Sequence, residues 1–219
     1  MFNLVKKDFI LSRKINIFAA IYALFIAAMG RSVPNHPISS ILYMLGMIML
    51  IFISVIYTNG YDDKYKTEIV LNSFPIDKRD IVRGKYLTLI IYIIIGCGAV
   101  LIFTNIFMVS DIGVNSKGAS IWNAIFAANV SLIFYSIYYP FYFKIGEGIR
   151  SFNTILWIIM TVSPAIISKS MKSLEKIWQL EKILSIDINK INIYLLIFSL
   201  LIFYISMQVS KSIYLHKEF

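Results

Sequence analysis

Residues 87–109 read LTLIIYIIIGCGAVLIFTNIFMV, 23 consecutive positions without a Lys, Arg, Asp or Glu. As an α-helix rising about 1.5 Å per residue, this stretch is about 35 Å long, enough to cross a hydrocarbon core of roughly 30 Å. A backbone in hydrocarbon must satisfy its N–H and C=O groups internally, and a helix does so within one segment. Five further uncharged runs flank this one: Ile15–Gly30, Ile38–Asn59, Ile121–Phe143, Ser151–Ser168 and Ile191–Val209. The reading is therefore an all-α integral membrane protein with six transmembrane helices. Composition agrees: 58% of the 219 residues are hydrophobic and the mean hydropathy is +0.75. Ordinary soluble domains hold roughly 45–50% apolar residues.

Working outward, the charges fall in the gaps between these runs. Phe2, Val5, Phe9 and Ile10 share one helical face ahead of the first run, with Lys6 and Lys7 opposite. This predicts an N-terminal elbow helix lying in the membrane interface. Lys6, Lys7, Arg13 and Lys14 would also suit a signal peptide, but Ala27–Met29 is a poor cleavage site and a second span follows at once; the first run is read as retained. With the N-terminus inside, the inner gaps hold 14 Lys and Arg and the outer gaps 7. That bias predicts both termini in the cytoplasm. No linker, repeat or soluble module interrupts the chain, which reads as a single domain over 1–219.

The net charge of +9 does not imply nucleic acid, because the basic residues sit beside spans rather than on a stripe interleaved with stacking aromatics. Cys97 is the sole cysteine and His36 and His216 the only histidines, too few for a disulfide framework or a His-based zinc site. There is no phosphate-binding G-x-x-x-x-G-K-[ST] loop and no G-x-S-x-G elbow, and Gly146–Glu147–Gly148 is too short for a nucleotide fingerprint. Neither a catalytic site nor a cofactor is expected in this chain. The spans also lack the mid-membrane ionisable group of an ion-coupled carrier. Their strongest polar residues, Asn105, Asn123, Asn129, Ser131 and Thr161, are expected to hydrogen-bond between helices.

The densest polar information is Tyr61–Tyr86, YDDKYKTEIVLNSFPIDKRDIVRGKY. Thr67–Leu71 reads as a short amphipathic turn, broken at Asn72–Ser73–Phe74–Pro75 because a residue preceding proline favours extended backbone. Asp77 suits an N-cap and Asp80 the positive end of a second helix running into the third span. Ile69, Val70, Leu71, Phe74 and Ile76 are apolar residues in a water-facing loop, where they need bilayer or a partner to cover them.

Asn72-Ser73-Phe74-Pro75-Ile76, followed by Ile81-Val82 and Lys85-Tyr86, resembles the loop of ABC-2 type transporter permeases, particularly small bacterial ones. The opening Leu4-Val5-Lys6-Lys7-Asp8 is similar to the start of the same proteins. The resemblance implies a six-span exporter half in a bacterial cell membrane, paired with a second permease copy or a paralogue. Its loop would dock on a separate ATP-binding cassette ATPase through Glu68, Ile69, Val70, Leu71, Asn72, Ser73, Phe74 and Pro75. Small relatives export amphipathic peptides such as phenol-soluble modulins or handle antimicrobial peptides, and the resemblance permits such a cargo.

The outer segment 169–190 carries five of the seven outer cations. Met171, Leu174, Ile177, Trp178, Leu180 and Leu184 face Lys172, Glu175, Lys176, Gln179 and Lys182, predicting an amphipathic outer helix on the membrane lipid between spans five and six. Pro164 is expected to bend span five. The uncharged spans suggest an apolar or amphipathic cargo. The competing reading is a membrane scaffold or accessory subunit that recruits a cytoplasmic partner without transporting anything; a channel lacks the expected polar filter.

Overall fold

The computed structural model describes residues 2–34, 36–110, 118–146, 154 and 188–217. Seven helices lie among them: α1 (Phe2–Leu11), α2 (Arg13–Ser32), α3 (His36–Lys64), α4 (Thr67–Ser73), α5 (Lys78–Val109), α6 (Ile121–Ile145) and α7 (Ile188–Leu215). No strand occurs among the described residues. Five helices, α2, α3, α5, α6 and α7, are long and apolar enough to cross a membrane. The expected fifth span, Ser151–Ser168, lies outside the described residues except for Thr154, which is helical. Most of the outer segment 169–190 lies outside them too, together with Pro164 and Thr161; its last residues, Asn189 and Lys190, belong to α7.

Side-chain pairings fix the course of the chain. Gly30 and Gly46 bring α2 and α3 together antiparallel: a Cβ at Gly30 would lie 2.2 Å from the Tyr43 ring. A Cβ at Gly96 would likewise meet Leu50 at 2.7 Å, so α5 approaches α3 through a missing side chain. From there the α3–α5 contacts run antiparallel through Thr58–Tyr92 to Asp62–Lys85. Helix α6 returns antiparallel to α5, with the Cys97 thiol on the Ala124 carbonyl and the Tyr139 hydroxyl near the Lys85 carbonyl. Helix α7 then runs parallel to α6, matching Asn129 with Asn192, Ser136 with Ser206 and Phe143 with Tyr214. One end of the bundle thus gathers α1, α4, the start of α5 and the last turns of α3, α6 and α7.

The core is aromatic and polar in alternation. Tyr135 and Tyr139 of α6, Tyr86 of α5 and Tyr214 of α7 are all buried, with rings 4.8–5.6 Å apart along the series Tyr135–Tyr139–Tyr86. Pro140 stands inside α6, where it deprives the Ser136 carbonyl of its helical donor. Ser206 of α7 replaces that donor, its Oγ donating to the Ser136 oxygen at 2.5 Å. The interhelical role expected of Asn129 holds: its amide donates to the Asn192 carbonyl at 3.1 Å and its oxygen accepts from Ser199. Asn105 differs, donating to Leu101 of its own helix.

Helix α1, the expected elbow, packs one side on the bundle and leaves the other exposed. Phe2 and Ile10 are exposed, whereas Val5 and Asp8 are buried against the bundle. Leu4 covers Gly84 of α5, 3.2 Å from where a Cβ would stand. On the packed side Asp8 pairs with Lys85 at 3.2 Å. Ser12 marks the break to α2, its Oγ accepting or donating with Tyr92 at 2.7 Å and donating to the Asp8 carbonyl at 2.6 Å.

A candidate docking loop above a buried ion cluster

Helix α4 is reached through Lys66, a non-glycine residue in the left-handed region at φ 48°. That turn folds the chain back from α3 so that α4 lies across the end of the bundle. Its C-cap, Phe74, is extended at φ −90°, ψ 154°, as the following Pro75 demands. The helix runs two residues beyond the expected Leu71, ending at Ser73, because the Asn72 side chain donates back to the Glu68 carbonyl at 2.8 Å and the Ser73 hydroxyl to Val70 at 2.7 Å. Asp77 is an N-cap as expected, its carboxylate accepting from Arg79 N at 2.8 Å, and α5 continues unbroken from Lys78.

The eight residues singled out from the sequence divide into two sets. Glu68, Leu71 and Asn72 face the bundle and are half-buried. Glu68 pairs with Lys217 at 2.7 Å, the Asn72 amide donates to the Tyr214 hydroxyl at 3.0 Å, and Leu71 packs against the core beside Ile76. Lys78 adds a bond to the Lys217 carbonyl at 3.1 Å. The tail of α7 therefore clasps one side of the loop. Ile69, Val70, Ser73, Phe74 and Pro75 are on the other side and exposed, with 59% of Ile69 and 56% of Phe74 accessible. The arrangement is an apolar ridge on a helix whose opposite side is anchored.

Beneath the loop, four charges from three helices converge. The Lys85 ammonium of α5 donates to Asp62 of α3 and, at 3.2 Å, to Asp8 of α1. Lys7 completes the set with Asp62 at 2.8 Å and Asp8 at 3.0 Å. The Thr88 hydroxyl donates to the second Asp8 oxygen at 2.9 Å. Asp8, Asp62 and Lys85 are all buried, and only Lys7 is partly accessible. Two cations and two carboxylates balance, which is the condition for holding charge away from water. A cleft lined by Lys7, Asp62, Glu68, Ile69, Lys85 and Tyr142 separates the cluster from α4.

Sequence reading missed this cluster. Asp8, Asp62 and Lys85 read as leader and loop charges, yet Asp8 lies in α1, Asp62 in the last turn of α3 and Lys85 two turns into α5, all buried. The available signal was spacing: Asp8 and Ser12 lie four residues apart at the end of the leader, and Lys85, Thr88 and Tyr92 fall at i, i+3 and i+7 on α5. A polar stripe aligned with a buried face on two helices at once predicts that they meet.

No curated protein and no solved structure matches the chain. The family model for an ABC-2 family transporter protein matches residues 3–215, from α1 through α4 to the last turn of α7. With nearly its whole length matched, the chain belongs to the ABC-2 family of transporter proteins.

Proposed function

We propose that this chain is the membrane half of an ATP-driven exporter and that its ridge of Ile69, Val70, Phe74 and Pro75 docks on a separate ATP-binding cassette ATPase. Permeases of the family generally pair with an ATPase subunit. The observation that carries the docking reading is the two-sided α4: anchored to Tyr214 and Lys217, apolar and exposed on the other side. A solvated topology loop has no need of an exposed Ile, Val and Phe on one ridge, since such a patch marks an interaction surface. Glu68, Leu71 and Asn72 set the angle of the ridge rather than meet the partner. The whole chain acts as one permease domain, in a bacterial cell membrane, with six spans and both termini in the cytoplasm. The parallel course of α6 and α7 supports the sixth crossing, because a chain joining two parallel helices must return across the bundle between them.

Two such halves, identical or paralogous, would enclose the path, and closure of the ATPase pair would draw their docking loops together and open the path outward. The apolar runs of the spans, free of Lys, Arg, Asp and Glu, suit an apolar or amphipathic cargo, such as a hydrophobic or antimicrobial peptide or a lipid-like molecule. The test is purification from native membranes. The wild-type chain is expected to bring down an ATP-binding subunit, and Phe74→Asp to lose it while inserting and folding normally. Retention of that subunit by Phe74→Asp would move the docking site elsewhere. A wild-type chain that brings down no ATP-binding subunit would favour the scaffold role.

A further inference from the structure

We infer that Lys85 is a positioning residue which, through Asp8 and Asp62, makes the leader helix α1 and the end of α3 move as one body with the base of α5 when the docking loop moves. The inference rests on the docking reading above and adds how a displacement at α4 enters the spans.

Among the described residues, helix α4 meets the bundle mainly at α3 and the tail of α7. A force on its ridge reaches the membrane by two covalent routes, back through Lys66 to the end of α3 and forward through Pro75 and Asp77 to the first turns of α5. Lys85 stands two turns into α5, and Asp62 stands at the last turn of α3. Their pairing closes the loop's two stems into one clamp. Asp8 extends that clamp to α1, whose other contacts with α5 include Leu4 over Gly84 and the Phe9 ring stacked on Tyr92 at 4.8 Å. From α1 the chain passes directly into the first span through Ser12, whose hydroxyl also bonds Tyr92 of α5, itself bonded to Thr58 of α3 at 3.0 Å. Three helices are thus joined at two levels, by charges at Lys85 and by hydroxyls at Tyr92. Apolar contacts alone would let helices slide, whereas a buried ammonium between two carboxylates tolerates no displacement that leaves a charge unpaired.

The experiment uses the complex of the chain with its ATP-binding subunit in lipid nanodiscs, with Mg-ATP and vanadate as the only probe. Hydrogen exchange is followed in the loop (67–76) and the leader (2–16). In the wild type, both segments are expected to change protection on nucleotide trapping. The neutral variant Asp8→Asn/Asp62→Asn/Lys85→Met removes the ion pairs without stranding a buried charge. Its loop should still respond, while the leader response falls at least about fivefold, the low end of ordinary coupling between sites. A disulfide between Leu4→Cys and Gly84→Cys, in a Cys97→Ser background, should restore the leader response by tying α1 to α5 directly. A purely stabilising cluster predicts loop and leader responses that fall together, and that result overturns the inference. So does an unchanged leader response in the neutral variant. Should the neutral variant not assemble, the disulfide alone decides: locking α1 to α5 must leave both responses intact, and a lock that abolishes either one is incompatible with rigid coupling. A wild-type loop that does not respond defeats the docking reading itself, whereas a responding loop beside a silent wild-type leader defeats only the role of Lys85.

Discussion

At the scale of single residues, the cost of a change at the ion cluster depends on what it leaves behind. Lys85→Met strips two buried carboxylates of their main partner, with only the partly accessible Lys7 remaining. Breaking a buried pair from one side typically costs about 3–5 kcal/mol. Thermal unfolding in detergent should therefore show Lys85→Met far less stable than the neutral triple variant, although the triple variant carries more substitutions. Equal losses would mean that the cluster is open to water. Pro140 supports a second prediction. Its missing N–H makes Ser206 the donor for the Ser136 carbonyl, so Ser206→Ala should cost about 1 kcal/mol, typical of interhelical bonds in membrane proteins. In a Pro140→Ala background the helical donor returns and the same substitution should cost much less. A cycle with no coupling would assign Ser206 to its other bond, with Tyr86 at 2.7 Å.

At the scale of elements, α4 is held and presented by contacts that can be loosened separately from its ridge. Asn72 and Glu68 reach Tyr214 and Lys217 across about 140–150 residues of sequence. Asn72→Ala with Lys217→Ala leaves Ile69, Val70 and Phe74 untouched, so association with the ATP-binding subunit should weaken by a few-fold rather than vanish, because α4 must then be ordered on binding. Phe74→Asp should abolish association outright, and a binding titration separates the two. Much of this loop was legible beforehand: the break before Pro75, the Asp77 cap and the helix running into α5 all follow from local backbone chemistry. The division of Glu68–Pro75 into an anchored side and an exposed side was not, since it is decided by α7, which lies in sequence beyond every local signal. The leader shows the same limit. Its apolar spacing grouped Phe2, Val5, Phe9 and Ile10; Val5 and Phe9 pack on the bundle while Phe2 and Ile10 stay exposed, and the burial of Asp8 against Lys85 was not visible in that pattern.

At the scale of the whole molecule, hydropathy alone marked the five spanning helices that the described residues contain, because each must satisfy its own backbone and present about 20 apolar residues. Their pairing was not legible, since it rests on small residues such as Gly30, Gly46 and Gly96 and on polar groups such as Asn129 that only find meaning opposite a partner. Sidedness follows from charge and geometry together. The leader, the docking loop and the tail of α7 meet at one end through Asp8–Lys85 and Glu68–Lys217, so whatever side holds one must hold all three. The surplus of Lys and Arg in the gaps expected at that end is the ground on which we propose that it faces the cytoplasm. Single cysteines in a Cys97→Ser background test this with a membrane-impermeant maleimide on intact cells. Ser73→Cys and His216→Cys, both at exposed positions, should stay unlabelled until the cells are broken, and Ser120→Cys, exposed at the far end of α6, should label at once. Labelling of Ser73→Cys and His216→Cys together from outside would invert the protein and remove the docking ridge from the compartment that holds ATP. Labelling of only one of the two would contradict the parallel course of α6 and α7 and, with it, the clasp between the loop and the tail.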